Sequence, residues 1–530
     1  MRVLLFHGYL LSGTGSNVYT AQLARALVAL GAEVHLVCQD RAPFDHAFVD
    51  AAGDWDTGAL EVRTRHDPAR CTVLRPDLGG ILPVYVADTY EGVRAVPYVE
   101  LDDAAIEAYL ERNVAAVEEV ARRVVPDVAL AGHLIAGPAI LARALAGTDV
   151  PYVVKVHGSA LEYAVARRPD RFLSLAREGL AGARAVLVGS RHTAQRLWSL
   201  LDDPALEART RLGPPGVDIE TFRPQGHAEA KESLRALSRE LAGGATSAGE
   251  APSRAAPVSS FARDPGAAGR ALARLDLAHD RLVIFVGKLI VSKGIDLLVA
   301  AWPLVVHHVP EARLVVVGFG AYRPALERML DALADGDLAA LRALGEEGRA
   351  AEGGPPAPLN HLLAFFDALQ ADRQALEDYR RAAGNVGDGV VLTGRLDHPE
   401  LARLLPACEA QVVPSTFPEA FGMVAAEAAA CGVLPVCADH SGLAEVAGPL
   451  AHAVPPEAAR WLTVPVGSGM VVALADRLVA WLQAPAGLRE ATAQALAATA
   501  RERYSWEGVA RGVLAGARGD LGALPPVPGA

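Results

Sequence analysis

Two glutamates lie close together in a stretch that reads Val-Pro-Ser-Thr-Phe-Pro-Glu-Ala-Phe-Gly-Met-Val-Ala-Ala-Glu-Ala, and they are Glu419 and Glu427. The apolar residues 411–413 and the prolines that follow predict a strand that ends in a loop. Residues 421–430 are rich in alanine and Gly432 follows them, so we expect a helix that ends in a left-handed cap. A strand, a loop and a helix therefore carry the two carboxylates.

The beginning of this helix is suited to a phosphate. Its first amides have no intrahelical acceptor and lie at the positive end of the helix dipole. These amides belong to Phe421, Gly422, Met423 and Val424. Gly422 allows an anion to approach the backbone, and Glu427 lies roughly 7–8 Å further along the helix, a distance that suits a ribose. Glu419 precedes the helix, where its carboxylate can accept hydrogen bonds from a sugar. An ordinary amphipathic helix with exposed glutamates is the alternative.

The motif Pro-Glu-Ala-Phe-Gly-Met-Val-Ala-Ala-Glu-Ala resembles the signature of the retaining nucleotide-sugar glycosyltransferases of family 4, group 1. In that family the first glutamate contacts the donor sugar and the second holds the ribose hydroxyls, which implies these roles for Glu419 and Glu427. The resemblance implies an α/β protein of the GT-B fold, with two doubly wound Rossmann-like domains that face a central cleft. It also implies that the second domain binds the donor and the first binds the acceptor.

Two lysines, Lys288 and Lys293, follow a predicted strand at residues 281–286. The leaving group of such a transfer is a diphosphate that gains negative charge, so cations near it act where the transition state needs them. The family usually has arginine at the first of these positions, and Lys288 keeps the charge without the planar fork. Two surface lysines on a turn are the alternative. Arg395 follows the strand at residues 390–392, where we expect backbone contacts to the nucleobase.

The first 37 residues predict a βαβ unit with the loop Gly13-Thr14-Gly15 before the helix. A dinucleotide fingerprint would require a third glycine where Val18 stands, which disfavours a nicotinamide dehydrogenase. The loop instead resembles the glycine loop of the family, whose amides approach the donor diphosphate. Gly15 matches the second glycine of that loop, Thr14 departs from the first, and a plain turn is the alternative.

Two histidines follow further predicted strands of the N-terminal half, His133 after residues 128–131 and His157 after residues 152–156. The resemblance implies that His157 reaches the donor sugar or the reacting centre, whereas a structural role is the alternative for both histidines. Residues 40–103 are expected to be irregular and contain several aromatic residues. We hypothesise that part of this segment binds the acceptor. The aromatic residues are Trp55, Tyr85, Tyr90 and Tyr98.

The length of 530 residues exceeds that of a single core and predicts two domains. The predicted N-terminal acceptor domain covers residues 1–224 and is completed by a C-terminal helix at residues 505–520, with Ser505 as its cap. The predicted donor domain covers residues 276–504 and contains a helical insertion at about 321–383. Within the insertion we expect helices at residues 321–334, 338–344 and 359–383 and a flexible segment at residues 345–357. Residues 225–275 are predicted to form a linker, and the composition of residues 243–268 predicts a disordered insertion there.

Composition and charge exclude several other classes. A net charge of −12 and a pI near 5.7 disfavour binding to nucleic acid. The five cysteines show no metal-ligand spacing and are expected to be buried free thiols in a reducing compartment. These are Cys38, Cys71, Cys408, Cys431 and Cys437. No apolar run reaches 18 residues and no signal sequence is evident, so we expect a cytoplasmic protein, with which a peripheral membrane contact is compatible.

The most direct interpretation is a retaining glycosyltransferase (hexosyltransferase, EC 2.4) that uses a nucleoside-diphosphate sugar and needs no metal and no further cofactor. The acidic pairs in Asp54-Trp55-Asp56 and Asp335-Gly336-Asp337 are too short as motifs to predict a metal site. A non-enzymatic sugar-nucleotide-binding or scaffold protein, a sugar-nucleotide epimerase and a phosphorylase are the alternatives. The nucleobase, the sugar, the acceptor and the oligomeric state stay open.

Overall fold

Apolar runs of up to six residues form the strands of two parallel sheets in the computed structural model. The structure describes residues 1–86, 93–243, 263–384, 386–387 and 389–528. Tyr90 and residues 244–262 of the predicted disordered insertion lie outside the described residues. The chain divides into two units, of which the first contains Met1–Gly216 and the C-terminal segment from Tyr504, and the second runs from Val217 to Arg503.

The first unit is built on a nine-stranded sheet. The strands of this unit are β1 (Arg2–Phe6), β2 (Glu33–Val37), β3 (Ala51–Asp54), β4 (Glu61–Thr64), β5 (Cys71–Arg75), β6 (Ile81–Val84), β7 (Arg94–Pro97), β8 (Val128–Gly132), β9 (Tyr152–Val156), β10 (Ala185–Val188) and β11 (Thr210–Leu212). The strand order is β11-β10-β9-β8-β1-β2-β5-β3-β4, and all neighbours are parallel except β3 and β4. β6 and β7 form a separate parallel pair.

Helices cover both faces of this sheet. They are α1 (Gly15–Ala29), α2 (Asp103–Val124), α3 (Gly137–Ala144), α4 (Gly158–Ala160), which continues into a π-helical turn, α5 (Pro169–Ala181), α6 (Arg191–Leu201), α7 (Pro204–Arg209) and, after the second unit, α21 (Trp506–Arg518). Alternate side chains of β1 point to opposite faces, so Leu5 packs with the core beneath α1 and α21, whereas Phe6 packs with the core beneath α2, α3 and α5. Ser505 caps α21 as predicted, because its hydroxyl accepts a hydrogen bond of 3.2 Å from the Gly508 amide.

The second unit has a six-stranded sheet in which all neighbours are parallel. Its strands are β12 (Arg281–Val286), β13 (Ala312–Val317), β14 (Val390–Gly394), β15 (Ala410–Val413), β16 (Leu434–Ala438) and β17 (Thr463–Val464). The order is β14-β13-β12-β15-β16-β17, so the order in which the chain adds strands reverses direction between β12 and β15. In open parallel sheets, ligands bind outside the carboxyl ends of the strands at such a switch point. A ligand-binding site is therefore expected at the loops after β12 and β15.

The helices of the second unit are α8 (His227–Gly243), α9 (Pro265–Leu272), α10 (Ile295–His308), α11 (Arg323–Ala334), α12 (Leu338–Glu347), α13 (Asn360–Ala371), α14 (Arg373–Ala383), α15 (His398–Leu404), α16 (Met423–Ala430), α17 (Ser441–Ala453), α18 (Pro456–Ala459), α19 (Met470–Leu482) and α20 (Ala486–Arg503). In the described part of the chain no single helix is long and apolar enough to cross a membrane. Only α19 and α20 taken together, bent by 108°, meet the criteria of length and composition.

Three predictions about local structure are wrong. Residues 40–103 are not irregular throughout, because they contain β3 to β7, whose short strands carry a weak apolar pattern, and β4 is fully exposed at the sheet edge. Residues 263–268 were predicted to be disordered, but Pro265–Leu272 form α9. Asp264 caps this helix by accepting a 2.8 Å hydrogen bond from the Ala267 amide. The predicted helix at residues 359–383 is interrupted at Asp372, whose carboxylate caps α14.

The segment at residues 345–357, which was predicted to be flexible, also contains regular structure. α12 continues to Glu347, and a 3-10 helix follows at Arg349–Glu352. The Arg349 amide donates a hydrogen bond of 3.0 Å to the Ala357 carbonyl, which closes the segment into a loop. Gly348 has a φ of 56° and leaves no room for a Cβ atom, which would lie 2.0 Å from the Ala357 oxygen. Glycine at this position therefore permits the closure.

Candidate functional site

The loop after β15 carries Glu419, the first of the two predicted glutamates, and connects it to Lys293. The ammonium group of Lys293 donates a hydrogen bond to the Glu419 carboxylate, and the Ser415 hydroxyl donates a second one of 2.7 Å to the same oxygen. The Glu419 side chain is 21% exposed and that of Lys293 is 31% exposed. The pair is thus partly shielded from water and still accessible to a ligand.

The two loops that carry this pair contact each other through their backbones. The Thr416 amide donates a hydrogen bond of 3.0 Å to the Ser292 carbonyl. Gly294 has a φ of 68°, and a Cβ atom there would lie 2.1 Å from the Pro414 oxygen. Glycine at this position therefore allows the close approach that brings Lys293 to Glu419. The structure places these two predicted residues together at the switch point between β12 and β15.

A third loop, the one after β16, supports Glu419 from the other side. The Glu419 amide donates a hydrogen bond of 2.9 Å to the Ser441 hydroxyl, and the Gly442 amide donates one of 2.9 Å to the Glu419 carbonyl. Ser441 has a φ of 51°, which is a strained backbone conformation for a residue other than glycine. His440 adds a hydrogen bond of 2.7 Å from its imidazole to the Ser415 carbonyl. The position of the Glu419 backbone is therefore fixed from two neighbouring loops.

Helix α16 begins as the sequence predicted, with its amino end next to this loop. Gly422 is the residue before the first turn, Met423 and Val424 are the first two helical residues, and Phe421 precedes them. The amides of the first turn have no intrahelical acceptor, so this end can bind an anion. Gly422 has a second role, because a Cβ atom there would lie 2.8 Å from Cδ2 of Leu443.

Glu427 lies in the second turn of α16 and contacts a histidine. Its side chain is 5% exposed, and one carboxylate oxygen lies 3.2 Å from Nε2 of His398. Burial lowers the pKa of His398, but the charge of Glu427 and its hydrogen bond outweigh burial and raise that pKa above the ordinary value. The edge of the His398 ring faces Phe222 at a centroid distance of 5.8 Å. The buried carboxylate of Glu427, whose neighbours in the chain are alanines, thus has His398 as a hydrogen-bond partner.

The other cations of the predicted donor site have different surroundings. Lys288 is half-buried, and its ammonium lies 6.0 Å from the ring centroid of Phe319. Arg395 donates a hydrogen bond of 2.9 Å to Asp397, which also pairs with Arg263. Asp397 in turn caps α15 together with Glu400. The Arg395 side chain therefore belongs to an ion-pair network around the beginning of α15, next to His398.

In the first unit, the predicted glycine loop follows β1. Gly13 has a φ of 98°, Thr14 precedes α1, and Gly15 is the first residue of that helix. The side-chain amide of Asn17 donates a hydrogen bond of 2.6 Å to the Ser12 carbonyl, and this bond holds the loop against the helix. The amide of Gly15 consequently belongs to the first turn of α1, where amides have no intrahelical acceptor.

Three histidines follow three neighbouring strands of the first sheet. His7 follows β1, His133 follows β8 and His157 follows β9. The ring centroids of His133 and His157 are 4.9 Å apart, and those of His7 and His133 are 5.8 Å apart. Burial lowers the pKa of His7 to about 4 and holds the pKa values of His133 and His157 well below the ordinary value. All three imidazoles are therefore neutral near pH 7.

Hydrogen bonds distinguish the three histidines. His7 pairs with the Asn17 side chain at 3.0 Å. Within the described residues, neither ring nitrogen of His133 has a hydrogen-bond partner, and Nε2 of His157 has none either. Buried polar atoms without a partner are uncommon in native proteins. Nδ1 of His7 has no partner among the described residues either, so the unsatisfied nitrogens mark the carboxyl ends of β1, β8 and β9. His133 also has a strained φ of 70°.

The sequence did not indicate every residue of these sites. His398 and His7 were missed because each acts through a residue that is distant in the chain, and their own neighbours form no recognised motif. The acidic pairs have structural partners: Asp56 forms an ion pair of 2.5 Å with Arg75, and Asp337 caps α12 through the Ala340 amide. The five cysteines are buried and free.

Comparison with known proteins agrees with this division of the chain. A family model described as Glycosyltransferase Family 4 matches residues 13–221, and two models described as Glycosyl transferases group 1 match residues 280–346 and 369–466. The last of these spans contains Glu419 and Glu427, and the second contains Lys288 and Lys293.

Two curated relatives have the same name, D-inositol 3-phosphate glycosyltransferase. The protein from Segniliparus rotundus is 30% identical over 268 residues, which are 49% of this chain and 45% of the relative. The protein from Xylanimonas cellulosilytica is 26% identical over 438 residues, which are 82% of this chain and 77% of the relative. The match thus spans less than half of the first relative and about three quarters of the second.

Two solved structures resemble the chain over nearly its whole length. Sucrose-phosphate synthase from Thermosynechococcus elongatus has a TM-score of 0.59 at 20% identity, and the match covers 98% of this chain and 99% of that chain. Anabaena HepE in complex with UDP-glucose has a TM-score of 0.54 at 16% identity, and the match covers 97% of this chain and 98% of that chain. At these identities the likeness concerns the fold.

Proposed function

We propose that this chain, which belongs to the group 1 glycosyltransferases of family 4 and has their α/β GT-B fold, transfers a sugar from a nucleoside-diphosphate sugar to an acceptor hydroxyl. The second unit binds the donor, and the first unit binds the acceptor. The observation that carries this proposal is the contact between Glu419 and Lys293 at the switch point of the second sheet, beside the amino end of α16. A carboxylate, an ammonium and the amides of a helix's first turn are groups that can bind a sugar diphosphate.

The diphosphate binds to the amides at the beginning of α16 and to the ammonium groups of Lys293 and Lys288. These groups stabilise the negative charge that the leaving diphosphate gains in the transition state. Two ammonium groups and a helix dipole supply positive charge where other enzymes use a divalent cation. We therefore expect transfer without a metal, and undiminished turnover in the presence of EDTA tests this expectation.

The two glutamates hold the two ends of the donor. Glu427 accepts hydrogen bonds from the ribose hydroxyls, and its buried position makes these charge-assisted bonds strong. Glu419 accepts hydrogen bonds from hydroxyls of the transferred sugar. When the donor binds, the ammonium of Lys293 is shared between Glu419 and the diphosphate.

The chemical step exchanges one bond at the anomeric carbon for another. The bond between that carbon and the phosphate oxygen breaks, and a bond to the acceptor oxygen forms on the same face of the sugar. The acceptor proton passes to the leaving phosphate oxygen, so the products are the glycoside and the nucleoside diphosphate. This course retains the anomeric configuration and needs no enzymatic nucleophile. His157 of the first unit has a neutral imidazole, which can donate one hydrogen bond and accept another.

The names of related proteins indicate which substrates to test first. HepE was solved with UDP-glucose, which makes UDP-sugars the first donors. The two curated relatives are inositol phosphate glycosyltransferases, which makes phosphorylated polyols the first acceptors. Formation of the nucleoside diphosphate with an acceptor, and not without one, separates a transferase from an epimerase and from a binding protein.

The decisive experiment is thermal unfolding in the presence of a panel of nucleoside diphosphates and their sugar conjugates. A ligand at about 100 times its dissociation constant adds roughly 2.7 kcal/mol to the folded state. We expect one nucleotide family to stabilise the wild type. The Glu427→Ala variant should lose this shift, whereas Glu457→Ala, which removes an exposed glutamate from α18 in the same unit, should keep it.

A wild type that no nucleotide stabilises would contradict the proposed donor site. A shift of equal size in the wild type and in Glu427→Ala would place the nucleotide elsewhere in the chain. If no nucleotide stabilises the wild type, the scaffold alternative takes precedence. Thr14 and Lys288 depart from the family pattern and are then the first positions at which to introduce the family residues, glycine and arginine.

A further inference from the structure

The helical excursion between β13 and β14 has a contact with the donor loop that the proposed function does not explain. The excursion contains α11 to α14, and its 3-10 helix ends at Glu352. One carboxylate oxygen of Glu352 accepts a hydrogen bond of 2.7 Å from the amide of Val291. Val291 begins the 3-10 helix Val291–Lys293, whose last residue is the lysine that contacts Glu419. Only Ser292 therefore lies between the residue with the bonded amide and the residue with the candidate catalytic ammonium.

Glu352 is held in place for this contact. Its side chain is 7% exposed, and its other carboxylate oxygen accepts a hydrogen bond of 3.2 Å from Nε of Arg349. The loop closed by Arg349 and Ala357 fixes the backbone on both sides of it. Burial of a carboxylate is costly unless the carboxylate is hydrogen-bonded. The hydrogen bond from the Val291 amide therefore helps to compensate for the burial of Glu352.

Several other contacts of the donor loop are made by backbone atoms. The Leu289 amide donates a hydrogen bond of 2.7 Å to the Phe319 carbonyl, and the Tyr322 amide donates one of 3.0 Å to the Leu289 carbonyl. Further along, the Ser292 carbonyl accepts the bond from Thr416 that was described above. No side-chain substitution removes these bonds. Glu352 provides a side-chain anchor for the loop, at a point between the two backbone anchors.

We propose that Glu352 is a positioning residue for the donor site: through the Val291 amide, it sets the conformation of residues 291–293 and thereby places the Lys293 ammonium. The helical excursion is then a support for the donor loop in addition to an extension of the sheet's helical layer. This inference rests on the proposed function for its kinetic consequence only. The conformational consequence holds whether or not the chain transfers a sugar.

The test compares three variants of the full chain. Glu352→Ala removes the acceptor, Glu352→Gln keeps an acceptor oxygen without the charge, and Glu347→Ala removes a glutamate of the same excursion that pairs with Arg328 at 3.0 Å. The first readout is amide hydrogen exchange of the peptide that covers residues 287–294, measured without ligand. We expect faster exchange in Glu352→Ala, nearly wild-type exchange in Glu352→Gln, and no change in Glu347→Ala.

The second readout is steady-state kinetics with the donor that the unfolding panel identifies. Misplacement of a group that acts in the transition state lowers kcat more than it raises KM, and Glu352→Ala should lower kcat/KM about tenfold to a hundredfold. Glu352→Gln should recover most of this loss. Unchanged exchange at residues 287–294 in Glu352→Ala would overturn the inference. So would equal losses in Glu352→Ala and Glu352→Gln that follow their loss of Tm, since a merely structural residue would behave in that way.

Failure of the proposed function is recognised separately. If the wild type binds no nucleotide and the exchange still changes in Glu352→Ala, the positioning contact stands and the transferase assignment is wrong. If the wild type transfers sugar and the exchange does not change, the transferase assignment stands and the role of Glu352 is wrong.

Discussion

Replacement of Glu427 by glutamine tests the ribose-binding role most directly, because it removes the charge and keeps the volume of the side chain. The carboxylate is buried in α16 and contacts His398 at 3.2 Å, and the proposed function adds hydrogen bonds from the two ribose hydroxyls. A hydrogen bond to a charged group contributes about 1.5–3 kcal/mol, compared with about 0.5–1.5 kcal/mol for a neutral one. Loss of the charge should therefore weaken nucleotide binding by about 1–3 kcal/mol, which is roughly 5-fold to 150-fold in Kd.

Isothermal titration calorimetry with the nucleoside diphosphate, not with the sugar conjugate, isolates this effect. Glu427→Gln should show the weaker binding, and Glu457→Ala should bind as the wild type does. Equal affinities of Glu427→Gln and the wild type would refute the ribose role, provided that both variants are folded. Glutamine is preferable to alanine, since alanine would add a cavity in the packed layer beneath α16.

The contact with His398 supplies an internal check by pH. The charge of Glu427 raises the pKa of His398 in the folded state despite burial, so this pair stabilises the fold below the ordinary pKa of histidine. That contribution is lost as the pH rises through the folded-state value. The difference in unfolding free energy between the wild type and Glu427→Gln should therefore be larger at pH 6 than at pH 9. An equal difference at both pH values would show that the pair is not formed in solution.

Three other substitutions test separate parts of the structure. Glu419→Ala should lower turnover more than it weakens binding of the free nucleoside diphosphate, and calorimetry with equal losses would contradict its contact with the donor sugar. Burial lowers the pKa of Lys155 to about 7, so the unfolded chain binds a proton that the folded chain does not, and the wild type should gain up to about 4 kcal/mol relative to Lys155→Met between pH 7 and pH 10. Burial raises the pKa of Asp296 to about 7 against the effect of nearby backbone amides, so the wild type should lose up to about 4 kcal/mol relative to Asp296→Asn between pH 4 and pH 7. Urea unfolding measures both pH profiles, and a flat profile would show that the group ionises in the folded state as it does in the unfolded chain.

The donor site was largely predictable because its parts are local in sequence. A strand, a proline-bounded loop and an alanine-rich helix follow one another within residues 410–430, so the position of Glu419 and Glu427 on them needs no tertiary information. Gly294 could be recognised as a turn residue next to Lys293. Its close approach to the Pro414 carbonyl could not, because that contact spans 120 residues of chain.

The unpredicted parts of the site depend on such distant contacts. His398 is 29 residues from Glu427, and Glu352 is 61 residues from Val291. Nothing in the spacing of residues around His398 or Glu352 distinguishes them from helix-capping or surface residues. The strands of residues 40–103 were missed for a related reason: they are short, partly polar and defined by their pairing with other strands and not by their own periodicity.

The strand order of the second sheet explains why the chemistry is concentrated in two loops. β12 and β15 are neighbours at the switch point of the sheet, and ligands of open parallel sheets bind outside the carboxyl ends of the strands at such a point. The backbone contact of Thr416 with Ser292 fixes how far these loops can separate. Because that contact involves no side chain, we expect substitution of Lys293 or Glu419 to change the chemical groups at this site and to leave the positions of the two loops unchanged. The loops are thus positioned by the fold, and under the proposed function the side chains they carry select the donor and stabilise its leaving group.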